Sequence, residues 1–286
     1  MSRFTAIDLS AMTPPDIIET LDYEAIVTDM RDDLVARFPA IVGVIDLESE
    51  PARKLIEAFA YRELLLRARI NDSARAVLLA SSYGSNLDHL GALFATARQP
   101  DETDDRFRRR IQLAPEAFSV AGPKGAYQYH ALTVAPWARD VSAVMTAPGT
   151  VRVTMLKAGV DPVPSPTELQ SVLIALRDDA VRPLTDVVQV LGSQVVPVTI
   201  DARLTLYPGP DGTLVQSRAT AALSEWLERN RMLGMNLRRS AIFARLHQEG
   251  VHSVELVAPA EDVVLDENEV YAITALTVTV QTTRDQ

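Results

Sequence analysis

From Pro51 to about Ser81 the apolar positions Leu55, Phe59, Leu66 and Ile70 recur at helical spacing, interrupted by Arg62 and Arg69. This stripe predicts the longest helix of the chain. Pro51 suits a first helical turn, and Glu63 with Arg67 forms a favourable i,i+4 pair. Upstream, "DIIETLDYEAIVTDMRDDLVARF" places Ile26, Met30, Leu34 and Phe38 at steps of four, which predicts an arm with one helix ended by Pro39 and Gly43. Downstream, Gly84 punctuates "SYGSNLDHLGALFA", and Ser85 with Asp88 three residues on is expected to cap a short helix. Thr103 is expected to cap a further helix, with i,i+4 pairs Asp104–Arg108 and Asp105–Arg109, a buried face at Phe107 and Ile111, and an end before Pro115. "VAGPKGA" then turns the chain, and Pro123 stands early in a helix running through "AYQYHALTVA".

Beyond this point the period changes from that of a helix to that of a strand. Val141, Ala143, Met145 and then Val151, Val153, Met155 alternate around Pro148-Gly149, the pattern of a hairpin with one buried face. Ser165, Pro166 and Glu168 open a helix with a capping box. "RPLTDVVQVLGSQVVPVTIDARLTLYP" follows as strand material bent around Gly192 and Ser193. A second helical pair, "VQSRATAALSEWLERNRM" and "LRRSAIFARLHQEG", precedes the strands "VHSVELVAP" and "EVYAITALTVTV". The recurrence of helix, "VSAVMTAP", strand as helix, "VHSVELVAP", strand suggests a diverged duplication. The expected fold class is α+β, a helical N-terminal half followed by two small mixed α/β domains. The expected divisions are an N-terminal arm and helix over 1–46, a helical domain over 47–120, and α/β domains over 121–200 and 201–286.

Composition narrows the function. The 286 residues are 47% hydrophobic and 23% charged, the balance of a folded globular chain. A net charge of −10 at pH 7 disfavours nucleic acid and anionic membranes. The absence of cysteine removes disulfides and thiol chemistry. No apolar run approaches the roughly 20 residues of a membrane span, and "MSRFTAIDLSAM" lacks a signal-peptide pattern, so the chain is expected to be used without secretion or membrane insertion. His89, His130, His247 and His252 lack the spacing of metal ligands, and "GPKGAY" lacks the frame of a phosphate loop. No nucleophile elbow occurs, so no enzyme activity, cofactor or metal is expected. The arginines at 106 and 108–110, with Tyr127 and Tyr129, raise an RNA or DNA alternative that the adjacent acids oppose.

Four stretches, "YRELLLRARINDSARAVLLA", "GSNLDHLGALF", "TDDRFRRRIQLAPEAFSVAGPKGAYQYHAL" and "VRPLTDVVQV", resemble in this order and at these separations the baseplate assembly protein J family of contractile-tailed phages and phage-tail-like bacteriocins. The resemblance weakens after about Tyr207. It implies a structural baseplate wedge protein that joins a ring around the central hub and spike and couples receptor engagement to sheath contraction. Implied neighbours are other copies in adjacent wedges, a smaller I-like wedge partner, a W-like sheath-initiating protein, and hub, spike or tail-fibre proteins. The N-terminal helices would join a bundle with the partner, and the α/β domains would touch adjacent wedges. The implied location is the virion or tail-like particle, assembled in the host cytoplasm. A tail-associated cell-wall hydrolase using a carboxylate pair is the alternative. Candidate partner contacts are Leu55, Phe59, Arg62, Leu66, Arg69, Ile70, Arg106, Arg109 and Trp137. A charge recurring on an apolar face needs an acceptor, which favours Arg62 and Arg69; snorkelling to solvent is the other reading of both.

Overall fold

The computed structural model describes residues 7–119, 122–178, 181–183, 185–209 and 211–282. The chain divides into two compact units, with the boundary between Ile111 and Gln112.

The N-terminal unit is helical. Helix α1 (Tyr23–Arg37) starts at Asp22, whose carboxylate accepts the Ala25 N–H. Helix α2 (Pro51–Ala76) has Pro51 in its first turn and the Glu50 side chain as cap, and it ends five residues short of the sequence expectation. The Glu63–Arg67 pair forms, at 2.6 Å. Helix α1 packs on α2 through Ile26, Ile56 and Ala60, all buried. Tyr23 adds a hydrogen bond to the Glu57 carbonyl, and the buried Asn71 side chain both accepts from the Glu19 N–H and donates to the Glu19 carbonyl.

Helices α3 (Gly84–Ala92) and α4 (Asp104–Ala117) close this unit over a small core of Leu87, Phe107 and Ile111. Thr103 caps α4 as expected, accepting the Arg106 N–H. Three local expectations fail here. Ser85 does not cap α3; the helix starts one residue earlier, and the Gly84 N–H donates to the carboxylate of Asp104, 20 residues away. Asp104 pairs with Arg98 at 2.7 Å, and Arg108 pairs with Asp105 at i,i+3. Helix α4 also runs two residues past Pro115. A proline this close to a helix end removes a single backbone bond, and the buried Leu113 and Ala114 hold that turn in place.

The C-terminal unit contains two α/β lobes. In the central lobe, α5 (Lys124–Val134) leads into β1 (Ala138–Ala147) and β2 (Thr150–Lys157), an antiparallel hairpin whose turn has Gly149 at φ 72°. Pro123 stands just before α5, as its cap residue. The Ser165–Glu168 capping box starts α6 (Pro166–Leu176), which carries the chain back to β3 (Val187–Gly192), parallel to β2. Sheet order is β1-β2-β3.

The C-terminal lobe begins at once with β4 (Gln194–Leu206), continues through α7 (Gly212–Arg229) and α8 (Arg239–Leu246), and ends with β5 (Val251–Ala258) and β6 (Glu269–Thr282). Its order is β5-β4-β6, antiparallel on one side of β4 and parallel on the other. The break between lobes is therefore Ser193, and a cut at 200/201 would fall inside β4. Both sheets have a central strand with one antiparallel and one parallel neighbour. The chain visits them in different orders: β1 pairs with the strand that follows it, whereas β5 pairs with β4 and not with β6.

Candidate interaction surface

Helix α2 buries one face against α1 and leaves the arc beside it without cover among the described residues of its unit. Leu55, Phe59, Leu66 and Ile70 are between 56% and 64% exposed, and Tyr61 and Leu65 extend the patch. Leu55, Phe59, Arg62, Leu66 and Arg69 follow one another at steps of four, three, four and three, the seam spacing of helices that pack side by side. Arg53, Arg67 and Arg75 on the same helix each meet a carboxylate, at 3.1, 2.6 and 3.3 Å. Arg62 and Arg69 stand exposed beside Leu65 and Leu66 in an open depression, and neither guanidinium meets a carboxylate among the described residues.

The arginines of α4 are arranged in the reverse way. The Glu102 carboxylate, 1% exposed, lies between Arg106 and Arg110, pairing with the former and lying 2.7 Å from the latter. Burial lowers the Arg106 guanidinium below its ordinary pKa. Arg108 donates to the carbonyls of Leu79 and Ser82, and Arg98 lies 4.6 Å over the Phe107 ring. Arg106 is thus withdrawn from the candidate partner contacts, because its charge is spent inside its own unit. Arg109 is half-buried. Trp137 is half-buried too and packs against the core of the central lobe, as Trp226 does in the C-terminal lobe.

The remaining candidate groups do not converge. His130 lies edge-on to Tyr129 with ring centres 5.4 Å apart, and His252 lies edge-on to Tyr207 at 5.0 Å. Tyr127 is buried, its hydroxyl donating to Asp186 at 2.8 Å. Among the described residues no group of three or more histidine, aspartate or glutamate side chains is placed to hold a metal, and no helix is long and apolar enough to cross a membrane.

Known proteins match this arrangement along its length. Residues 48–101 match the Baseplate J-like N-terminal domain, 119–192 the Baseplate J-like central domain, and 198–279 the Baseplate J-like protein C-terminal domain. Baseplate protein J of Escherichia phage P2 is 39% identical over 280 residues, covering 91% of this chain and 93% of that one. The chain belongs to the baseplate J family.

The baseplate J central domain ends at Gly192, where the first sheet ends, and the exposed face of α2 lies within the N-terminal match. This baseplate J protein is accordingly a structural baseplate protein of phage-tail type. Its chain also resembles one in the baseplate of the anti-feeding prophage, at 17% identity and a TM-score of 0.42, over 62% of this chain and 43% of that one. It therefore spans under half the length of that larger chain.

Sequence pattern found α2 as a helix, whose stripe at Leu55, Phe59, Leu66 and Ile70 stands exposed while Ile56, Ala60 and Asn71 are buried. It missed the contacts of Arg139 and Asp140, which cross about 90 residues of chain and carry no periodic signal.

Proposed function

We propose that this chain is a wedge subunit of the baseplate, built into a ring around the hub and spike, and that the outer face of α2 receives a helix from its I-like partner. The carrying observation is the exposed apolar seam interrupted by two arginines that meet no carboxylate among the described residues. Fully burying a Leu, Phe or Ile side chain contributes about 1.5–3 kcal/mol. Leu55, Phe59, Leu66 and Ile70 are each a little over half exposed, so covering them together is worth on the order of 4–7 kcal/mol before the cost of association. Two guanidiniums closed into that seam need acceptors. The docking helix accordingly carries carboxylates about one heptad apart that meet Arg62 and Arg69. Neighbouring wedges, a W-like sheath initiator, and hub or fibre proteins complete the surroundings, and the wedge passes receptor engagement to the sheath by changing its assembled state. Assembly takes place in the host cytoplasm.

Co-expression with the I-like protein followed by size-exclusion chromatography tests this. A stable complex that is lost in Arg62→Glu/Arg69→Glu is expected. A chain that elutes alone beside its folded partner would overturn the reading.

A further inference from the structure

We infer that Arg139 and Asp140 form a releasable latch that holds the two α/β lobes in one orientation across the single-residue joint at Ser193. The two lobes have separate hydrophobic cores. One gathers residues such as Leu132, Val153 and Leu176, the other Ile200, Leu223 and Leu246, and no residue belongs to both. The described contacts across the boundary include a compact polar set instead. Arg139 donates Nε to the Arg231 carbonyl at 2.8 Å, one Nη to the Glu228 carboxylate at 2.7 Å, and the other Nη to the Glu228 carbonyl. Asp140, 4% exposed, accepts the Leu233 N–H at 2.9 Å, and Arg231 answers with a bond to the Gly159 carbonyl at 2.6 Å.

Local structure aims these groups. In a regular strand, consecutive side chains point to opposite faces. The β1–β2 register slips between Ala138 and Asp140, which makes Arg139 the extra residue of a bulge. A bulge redirects side chains, and here two neighbours reach the same lobe. Arg139 meets the end of α7, where the negative end of the helix dipole favours a guanidinium, and Asp140 meets the segment just beyond it at Leu233. Within its own lobe, α7 already has its Trp226 carbonyl bonded by Asn230, its Leu227 carbonyl by Tyr271 and its Glu228 carbonyl by the Asn230 and Arg231 N–H groups. Arg139 adds a further bond to the Glu228 carbonyl and takes the Arg231 carbonyl.

Release of these bonds uncovers neither core, because each lobe keeps its own. The latch therefore opens at a polar cost alone, and the lobes turn about Ser193. The chain has no cysteine, so two introduced ones report without background. Spin labels at Ile174→Cys and Val264→Cys, both on exposed positions of opposite lobes, give the distance distribution between them in the full chain. A narrow distribution is expected in the parent, and one at least twice as wide in Arg139→Ala/Asp140→Ala, with unchanged secondary structure by circular dichroism. Arg139→Gln alone, which keeps the buried Asp140, is read in the same way and is expected to give an intermediate width. Equal widths in parent and Arg139→Gln, or a parent already broad, would overturn the latch.

Discussion

Helices α2 and α4 each carry several arginines, and the two sets behave in opposite ways. In α4 the guanidiniums of Arg106, Arg108 and Arg110 turn inward to Glu102, Asp105 and backbone carbonyls. In α2, Arg62 and Arg69 stand among exposed leucines with no carboxylate among the described residues. Arginine content is the same kind of signal in both. What separates them is local company: acids just upstream of α4 hold its charge in the fold, while the stripe of α2 supplies apolar neighbours and no acceptor.

The comparison is broken most directly inside α4. Glu102→Ala leaves two largely buried guanidiniums without their carboxylate, and is expected to cost about 3–5 kcal/mol in denaturant unfolding of the N-terminal unit. Phe107→Ala, at a fully buried ring, should cost a similar amount, about 3–5 kcal/mol. On α2 the opposite outcome is expected. Arg62→Glu/Arg69→Glu should weaken partner binding by tenfold or more, about 1.4 kcal/mol or above, as read by titration calorimetry. Phe59→Ala should shift the stability of the isolated chain by no more than about 0.5 kcal/mol, since its ring is already 62% exposed. A large loss there would mean that the face is covered within the chain itself.

Two smaller effects depend on pH. Burial pushes the His130 imidazole below its ordinary value, so the unfolded chain takes up the proton more readily than the folded one. That contribution to stability is complete above the ordinary histidine value near 6.5 and is lost as pH falls through the folded value. Unfolding free energies at neutral and mildly acidic pH should therefore diverge in the parent and converge in His130→Gln. The hydrogen bond from Lys157, followed by those from Ser165, holds Glu168 at about 2, so its contribution is present above 4.5 and disappears between there and about 2. Lys157→Met should narrow that acid window, visible as a smaller change in melting temperature between pH 5 and pH 3.

Much of the fold was legible because it is written in local grammar. The Ser165 capping box, the Glu63–Arg67 pair, the turn at Pro148-Gly149 and the change of period after α5 all depend on residues within a few positions of one another. The misreadings share another cause. Spacing pairs Asp104 with its i+4 neighbour, yet it serves Gly84 and Arg98 from across the unit. Pro115 predicts a stop, yet the helix continues past it beside the buried Leu113 and Ala114. The strand material expected to bend around Gly192 and Ser193 divides there, and its halves, β3 and β4, belong to different sheets. In each instance a tertiary contact outweighed a local preference. On α2 the helical period is legible, but the same period marks a stripe whether it is covered within the chain or left open, and here Leu55, Phe59, Leu66 and Ile70 are open.

The Asn71 clamp has a mechanical meaning. Its amide grips the backbone of Glu19 with two hydrogen bonds, at 3.1 and 2.9 Å, across 52 residues of chain. A pull on the segment around Glu19 loads those two bonds together and passes straight into α2, bypassing the longer covalent path through α1 and the turns that follow it. The arm is thus a tether fastened near the end of the helix that carries the exposed seam, and tension on one is felt by the other.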